Sequence, residues 1–268
     1  MIFIPKKSKW KRKKHYTGFS HTYKSTRLDS DTCLRSIVVG FFCASPHILI
    51  TFIYILGTLF FLSPMQPKLL VEALGTFFLV LVIALTGNPL AIGLVLMVMV
   101  YMGGHISGAH YNPAISLALW LRGKIHTGLM MQYWFAQLCG AFVASVLALW
   151  LTGKWLVPMP HADVSAIQAV IVEAVFTFAL ALVVISVAAT KATVGNQYYG
   201  LAIGCTILAA AFAGGPLSGG AFNPAVGVWP LLLSALRWGA FMHGWIYLIG
   251  PFLGGWLGAQ VAHKIMRE

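Results

Sequence analysis

The tripeptide Asn-Pro-Ala occurs twice in this 268-residue chain, as Asn112-Pro113-Ala114 and as Asn223-Pro224-Ala225. Asparagine is a preferred helix N-cap, because its side-chain oxygen accepts a hydrogen bond from a backbone N–H of the first turn. Proline suits the first helical position, where no backbone N–H is needed. Two such helix starts facing each other would offer amide N–H groups to a passing oxygen, and their positive dipole ends would repel protons and other cations.

Two carboxylates, Glu72 and Glu173, lie inside long apolar segments. An isolated carboxylate within a membrane span is typical of a proton or ion pathway. The alternative is a structural role, in which the carboxylate accepts hydrogen bonds from irregular backbone nearby. His105 and His110, just before the first Asn-Pro-Ala, are of a residue type that titrates near neutral pH.

The composition determines which elements can position these groups. Hydrophobic residues make up 59% of the chain and charged residues 9%, with a mean hydropathy of +0.83. A soluble domain carries about 25% charged residues. The composition therefore excludes a soluble enzyme and predicts an all-α membrane protein with several spans.

Six apolar runs are long enough to be candidate spans, and they cover about 69–87, 89–103, 127–151, 166–189, 198–213 and 240–262. Two further stretches, 103–121 and 214–233, begin with small residues and then turn apolar for about ten residues only. Ten residues are too few to cross a bilayer, so each stretch predicts a re-entrant half-helix that is buried in protein or lines a watery cavity.

An internal repeat relates the two halves. Glu72 recurs as Glu173, Asn112 as Asn223, and 137–140 as 251–254, at offsets of 101, 111 and 114 residues. Each half, about 66–155 and 166–263, contains span, span, half-helix and span. Because three spans is an odd number, the second copy must be inverted, and inverted repeats share a site near the membrane midplane.

Most of the net charge of +12 lies before these repeats. Residues 1–35 hold ten of the 18 Lys and Arg against Asp29 and Asp31, which is typical of a solvated basic tail. No nucleic-acid-binding fold accompanies this charge, so a nucleic-acid partner is not expected. Of the later basic residues, six fall on the side of Lys68 and two on the other, which predicts a cytoplasmic C-terminus.

An apolar extension over 36–64 follows this tail. A span here would leave about five residues to return the chain to the cytoplasm before Lys68, which is too few to cross a bilayer. Three interpretations stay open: a seventh span with the tail outside, an interfacial or re-entrant segment, or a translation start at Met65 with a channel domain over 65–268.

The segment Gly104–Ala114 resembles the first pore loop of the major intrinsic proteins, the aquaporin and aquaglyceroporin family. The second Asn-Pro-Ala and Pro230 extend this resemblance over 66–268. It implies a homotetramer of right-handed bundles in the lipid bilayer, each with six spanning helices, two re-entrant half-helices and its own pore. It also implies that Asn112 and Asn223 form the central constriction.

The resemblance further implies roles for the titratable residues. Glu72 and Glu173 would support the two pore loops from behind rather than relay protons. His105 and His110 would hold loop geometry, with His110 contacting the pore through its backbone carbonyl.

The outer filter departs from the family pattern. An arginine almost always follows the second Asn-Pro-Ala in the family, whereas this chain has Val226. Counting from the two motifs places Ile92, Ala211 and Gly220 at the other filter positions. Such a ring has no charge, side-chain donor or aromatic group, which predicts a wider pore. The glycerol channels usually have an aspartate next, where this chain has Gly227.

The sequence thus predicts a passive channel for water, small neutral solutes or both. The paired helix starts would exclude cations from it. An aquaglyceroporin-type facilitator of glycerol or urea is the alternative, and a secondary transporter or a non-transporting scaffold are further ones. No catalytic, metal or cofactor site is expected. The plasma membrane is the expected location.

Overall fold

The structure is a computed structural model that describes residues 66–154, 156–228 and 243–266, and every regular element in these ranges is helical. The predicted basic tail and the extension over 36–64 lie outside them. Long helices are α1 (Pro67–Thr86), α2 (Pro89–Ser107), α4 (Thr127–Thr152), α5 (Ala166–Val184), α6 (Tyr199–Ser218) and α7 (Ile246–Ile265). The short α3 (Pro113–Leu121) lies between α2 and α4, and a π-helical turn, Ile185–Ala189, continues α5.

Five of these helices are long and apolar enough to cross a membrane: α1, α2, α4, α5 with its π-helical turn, and α6. Helix α7 has 20 residues and corresponds to the sixth predicted span. Two predicted boundaries were wrong, because 103–107 and 214–218 continue α2 and α6 instead of opening the irregular loops. Both helices end where Gly108 and Gly219 adopt φ of 90°, a left-handed conformation that glycine adopts without steric cost.

Equivalent helices of the two repeats pack in equivalent ways. Helix α1 packs against α4 and α2, as α5 packs against α7 and α6, while α2 packs against α6 across the repeats. The α1–α4 crossing is close because Gly140 faces the carbonyl oxygen of Ala73, and Gly254 faces that of Ala174 in the same way. A side chain at either glycine would overlap the opposing backbone.

The short helix α3 places the first Asn-Pro-Ala inside the bundle. It has nine residues and packs against α4, α5 and α7. At about 1.5 Å per residue it spans less than half of a hydrocarbon core about 30 Å thick. A second helical segment begins at Pro224 and is described as far as residue 228.

Candidate functional site

The two asparagines cap their own helices and bond to each other's loops. The Oδ1 of Asn112 accepts from the N–H of Ala114, and that of Asn223 from the N–H of Ala225, both at 2.9 Å. Each Nδ2 donates across the repeats at 2.9 Å, from Asn112 to the carbonyl of Phe222 and from Asn223 to the carbonyl of Tyr111. Because an amide nitrogen carries two hydrogens, each asparagine keeps one N–H beyond these bonds.

The residue before each asparagine has an unusual backbone. Tyr111 and Phe222 have φ of 51° and 48°, a region that bulky side chains rarely adopt. Such a conformation costs on the order of 1–3 kcal/mol and persists only where the surroundings enforce it. The Tyr111 ring lies against the backbone of Gly75 and Gly103, so a side chain at either glycine would overlap it.

Glu72 holds the backbone of the first loop in this conformation. Its Oε1 accepts from the Ser107 hydroxyl at 2.6 Å and from the backbone N–H of His110 at 2.9 Å. Its Oε2 accepts from the backbone N–H of Tyr111 at 2.7 Å and from the amide of Gln137 at 2.9 Å. Four donors on one fully buried carboxylate compensate for the loss of hydration that burial imposes.

Glu173 holds the second loop through the matching groups. Its Oε1 accepts from the Ser218 hydroxyl at 2.7 Å and from the N–H of Ala221 at 3.0 Å, while its Oε2 accepts from the N–H of Phe222 at 2.5 Å. These bonds fix the backbone that leads into the left-handed residue Phe222. Both carboxylates therefore bond to loop backbone, which explains their burial without a proton pathway.

A tyrosine completes the support of each loop from the third long helix of its repeat. Tyr133 donates to the carbonyl of Ser107 at 2.7 Å, and Tyr247 donates to the carbonyl of Ser218 at 2.6 Å. These hydroxyls donate to carbonyls at the ends of α2 and α6, where no following helical N–H is present to donate. Sequence reasoning missed both tyrosines and both serines, although each pair recurs at a repeat offset already seen in the motifs.

The first repeat also contains a buried polar group without a copy in the second. Gln137 donates to Glu72 and, at 3.0 Å, to the hydroxyl of Ser116, which lies 3.0 Å from Nδ1 of His110. By the repeat offsets, Ala221, Gly227 and Pro251 stand at the positions of His110, Ser116 and Gln137. By contrast, His105 is exposed near the end of α2.

A cavity joins the asparagine pair to the residues predicted for the outer filter. All four residues predicted for the filter line it: Ile92, Ala211, Gly220 and Val226. Asn112, Asn223 and His110 line it as well, whereas most of its other lining side chains are aliphatic. Within the ranges that the structure describes, no group of three or more His, Cys, Asp or Glu is placed to hold a metal ion.

Comparison with known proteins identifies this arrangement. The family model of the major intrinsic proteins matches residues 84–262. The chain belongs to the major intrinsic protein family. It is 36% identical over 220 residues to the maize (Zea mays) aquaporin NIP1-1, covering 76% of each chain, and 35% identical over 227 residues to nodulin-26 of soybean (Glycine max), covering 76% of this chain and 79% of that one.

The fold agrees with that membership. The X-ray structure of the aquaglyceroporin from Plasmodium falciparum superposes with a TM-score of 0.65 at 24% sequence identity, covering 74% of this chain and 95% of that one. The predicted all-α, aquaporin-like bundle is thereby confirmed. This family member is an integral membrane protein and a channel for water and small neutral solutes, in a family of channels rather than enzymes.

Proposed function

We propose that the chain is a passive channel whose outer filter is the apolar ring Ile92–Ala211–Gly220–Val226, and that it passes water together with larger or less polar neutral solutes. The observation that carries the proposal is that all four residues line one cavity with Asn112 and Asn223. The asparagine pair is the proposed central constriction.

Desolvation gives the reason for this selectivity. An arginine presents a fixed positive charge and five N–H donors, which replace the hydration that a polar solute loses in a narrow pore. The aliphatic side chains of this ring replace none of it, so a solute with several hydroxyls is penalised most. The smaller side chain at 226 also leaves more width for solutes with an apolar body.

The assembly and its location form part of the same proposal. We infer a homotetramer in the lipid bilayer of the plasma membrane, with the C-terminus in the cytoplasm. Exposed apolar side chains such as Phe135 and Ile167, both at least 70% exposed, are suited to contact lipid or a neighbouring subunit. The orientation follows from the side on which most basic residues fall.

Stopped-flow measurements on proteoliposomes test the filter. The wild-type channel should pass water and at least one of glycerol, urea and methylamine. Val226→Arg should reduce solute permeability by about tenfold or more while water still passes, because it restores a charged donor and narrows the ring. The control is Val226→Leu, which adds volume without charge.

Two outcomes would contradict the proposal. If the wild-type protein passes water and excludes all three solutes, the ring is not a wide filter. If Val226→Leu excludes solutes as strongly as Val226→Arg does, width alone accounts for the selectivity and the missing donors do not matter.

A further inference from the structure

Four buried side chains form a continuous hydrogen-bonded chain from α1 to the cavity. It runs from the Glu72 carboxylate to the Gln137 amide, the Ser116 hydroxyl and the His110 ring, over distances of 2.9, 3.0 and 3.0 Å. The first three side chains are fully buried and His110 is nearly so. Buried polar groups of this kind have few alternative partners, so the direction of each bond can be assigned.

The donor-to-acceptor direction of these hydrogen bonds follows from the Glu72 carboxylate. Glu72 already accepts from two backbone N–H groups and from Ser107, which is the pattern of an ionised carboxylate. Gln137 must therefore present its N–H2 group to Oε2. If the Gln137 amide were rotated by 180°, its Oε1 would face the carboxylate oxygen Oε2 of Glu72. Its N–H2 group would then occupy the buried position of Oε1 of Gln137, which has no hydrogen-bond partner among the described residues.

The orientation of Gln137 determines the tautomer of His110. Because Nε2 of Gln137 donates to Ser116, the oxygen of Ser116 is an acceptor there, and among the described residues Nδ1 of His110 is the partner that remains for the hydroxyl hydrogen. A nitrogen that accepts carries no hydrogen, so the neutral ring has its N–H at Nε2. Tautomers are assigned from such networks.

Nε2 lies on the side of the buried ring that faces Gly108. Tyr133 packs edge-on against the ring with centroids 5.0 Å apart and planes at 78°. A side chain at Gly108 would begin 3.2 Å from Nε2, and Gly108 itself is exposed. His110 lines the cavity that also holds the asparagine pair.

We propose that His110 is a specificity-determining residue whose Nε2–H donates to oxygen atoms of molecules in the pore, and that Glu72, Gln137 and Ser116 are positioning residues that fix this tautomer. The inference rests on the proposed function, because it concerns solutes that pass the apolar ring. The Nε2–H group is a donor from the first repeat only, since the second repeat has Ala221, Gly227 and Pro251 at the positions of His110, Ser116 and Gln137.

Nitrogen-15 NMR of histidine-labelled protein in lipid tests the tautomer directly, because the two ring nitrogens differ in shift according to which carries hydrogen. The His110 signal is assigned by its loss in His110→Asn. We expect the Nε2–H form in the wild-type protein and in Ser116→Thr, which keeps the hydroxyl. Ser116→Ala should give a mixture of tautomers. The Nδ1–H form in the wild-type protein, or an unchanged His110 signal in Ser116→Ala, would overturn the assignment.

Solute flux tests the consequence. Ser116→Ala should lower the permeability of a solute with a strong carbonyl acceptor, such as urea, relative to water by about three- to tenfold, the range of one hydrogen bond. Ser116→Thr should restore it. Ser145→Ala is the matched control, because Ser145 is a buried serine on α4 that donates only to the helix carbonyl of Ala141 at 2.8 Å.

The outcomes separate this inference from the proposed function. Equal relative permeability in Ser116→Ala, Ser116→Thr and the wild-type protein would overturn the selectivity role of His110. A wild-type protein that excludes every solute would contradict the wide filter, while the NMR experiment would still decide the tautomer.

Discussion

The two repeats share the scaffold of their pore loops and differ in the groups behind it. In both, a glutamate accepts from a serine and from two successive backbone N–H groups, and a tyrosine donates to the serine carbonyl. The corresponding distances for the serine and tyrosine bonds agree within about 0.1 Å, as expected of a shared two-fold design. The backbone of the loop, including its left-handed residue, is therefore the feature that both repeats retain.

The polar side chains that extend this scaffold in the first repeat have no polar counterpart at the matching positions of the second. His110, Ser116 and Gln137 continue the network of Glu72, whereas a side chain at Gly227 would overlap Tyr247 and Pro251 has no side-chain donor. The carboxylate, the serine and the tyrosine are thus loop supports that both repeats share. The additional polar groups of the first repeat are free to determine which donors reach the pore.

The largest effect is expected where the shared scaffold is broken. Glu72→Gln and Glu173→Gln each place an amide N–H2 against a backbone N–H that loses its acceptor. We expect each to lower the free energy of unfolding by about 2–4 kcal/mol, since a buried unsatisfied donor costs about 1–3 kcal/mol. Thermal unfolding in detergent, together with water flux, measures the loss.

A matched control for this pair is Asp163→Asn, because Asp163 is an exposed acid whose side chain is 91% accessible. Its substitution should leave the unfolding temperature and the water flux unchanged. If either glutamate variant behaves like this control, the carboxylate of that repeat does not hold its loop.

A smaller and symmetrical effect is expected at the helix crossings. Gly140→Ala and Gly254→Ala each force a methyl group against the backbone of the first helix of the repeat. We expect each to cost about 1–3 kcal/mol, the range for overpacking. Gly215→Ala is the control, because a Cβ there has no heavy atom within 4 Å. A loss in Gly215→Ala equal to the other two would show that the effect is not steric.

The repeat made part of the site predictable from sequence. Asn112, Asn223, Glu72 and Glu173 recur at fixed offsets in apolar surroundings, where polar side chains need a structural or functional reason. The ends of α2 and α6 were not predictable, because 103–107 and 214–218 contain the glycines typical of loops. In the structure Gly103 and Gly214 admit Tyr111 and Phe222 against the helix instead.

The polar network of the first repeat could not be predicted for a different reason. Gln137 and Ser116 are far from Glu72 along the chain, and only the packing of both α1 and α3 against α4 brings them together. The substitution of Gln137 by Pro251 within matched segments was a signal that the repeats differ there. This difference did not indicate which residues Gln137 contacts, because those contacts depend on the rotation of each helix about its axis.

The smallest effect is expected when the tyrosine hydroxyls are removed, and it tests whether the shared scaffold acts independently of the additional polar network. Tyr133→Phe and Tyr247→Phe remove one hydroxyl each and leave a serine carbonyl without its donor, so each should cost about 1 kcal/mol. Phenylalanine keeps the aromatic ring that packs against His110 in the first repeat. Thermal unfolding should therefore show equal losses, and solute selectivity should be unchanged in both variants. A change of selectivity in Tyr133→Phe alone would mean that the hydroxyl itself positions His110, and the scaffold and the polar network would then not be separable.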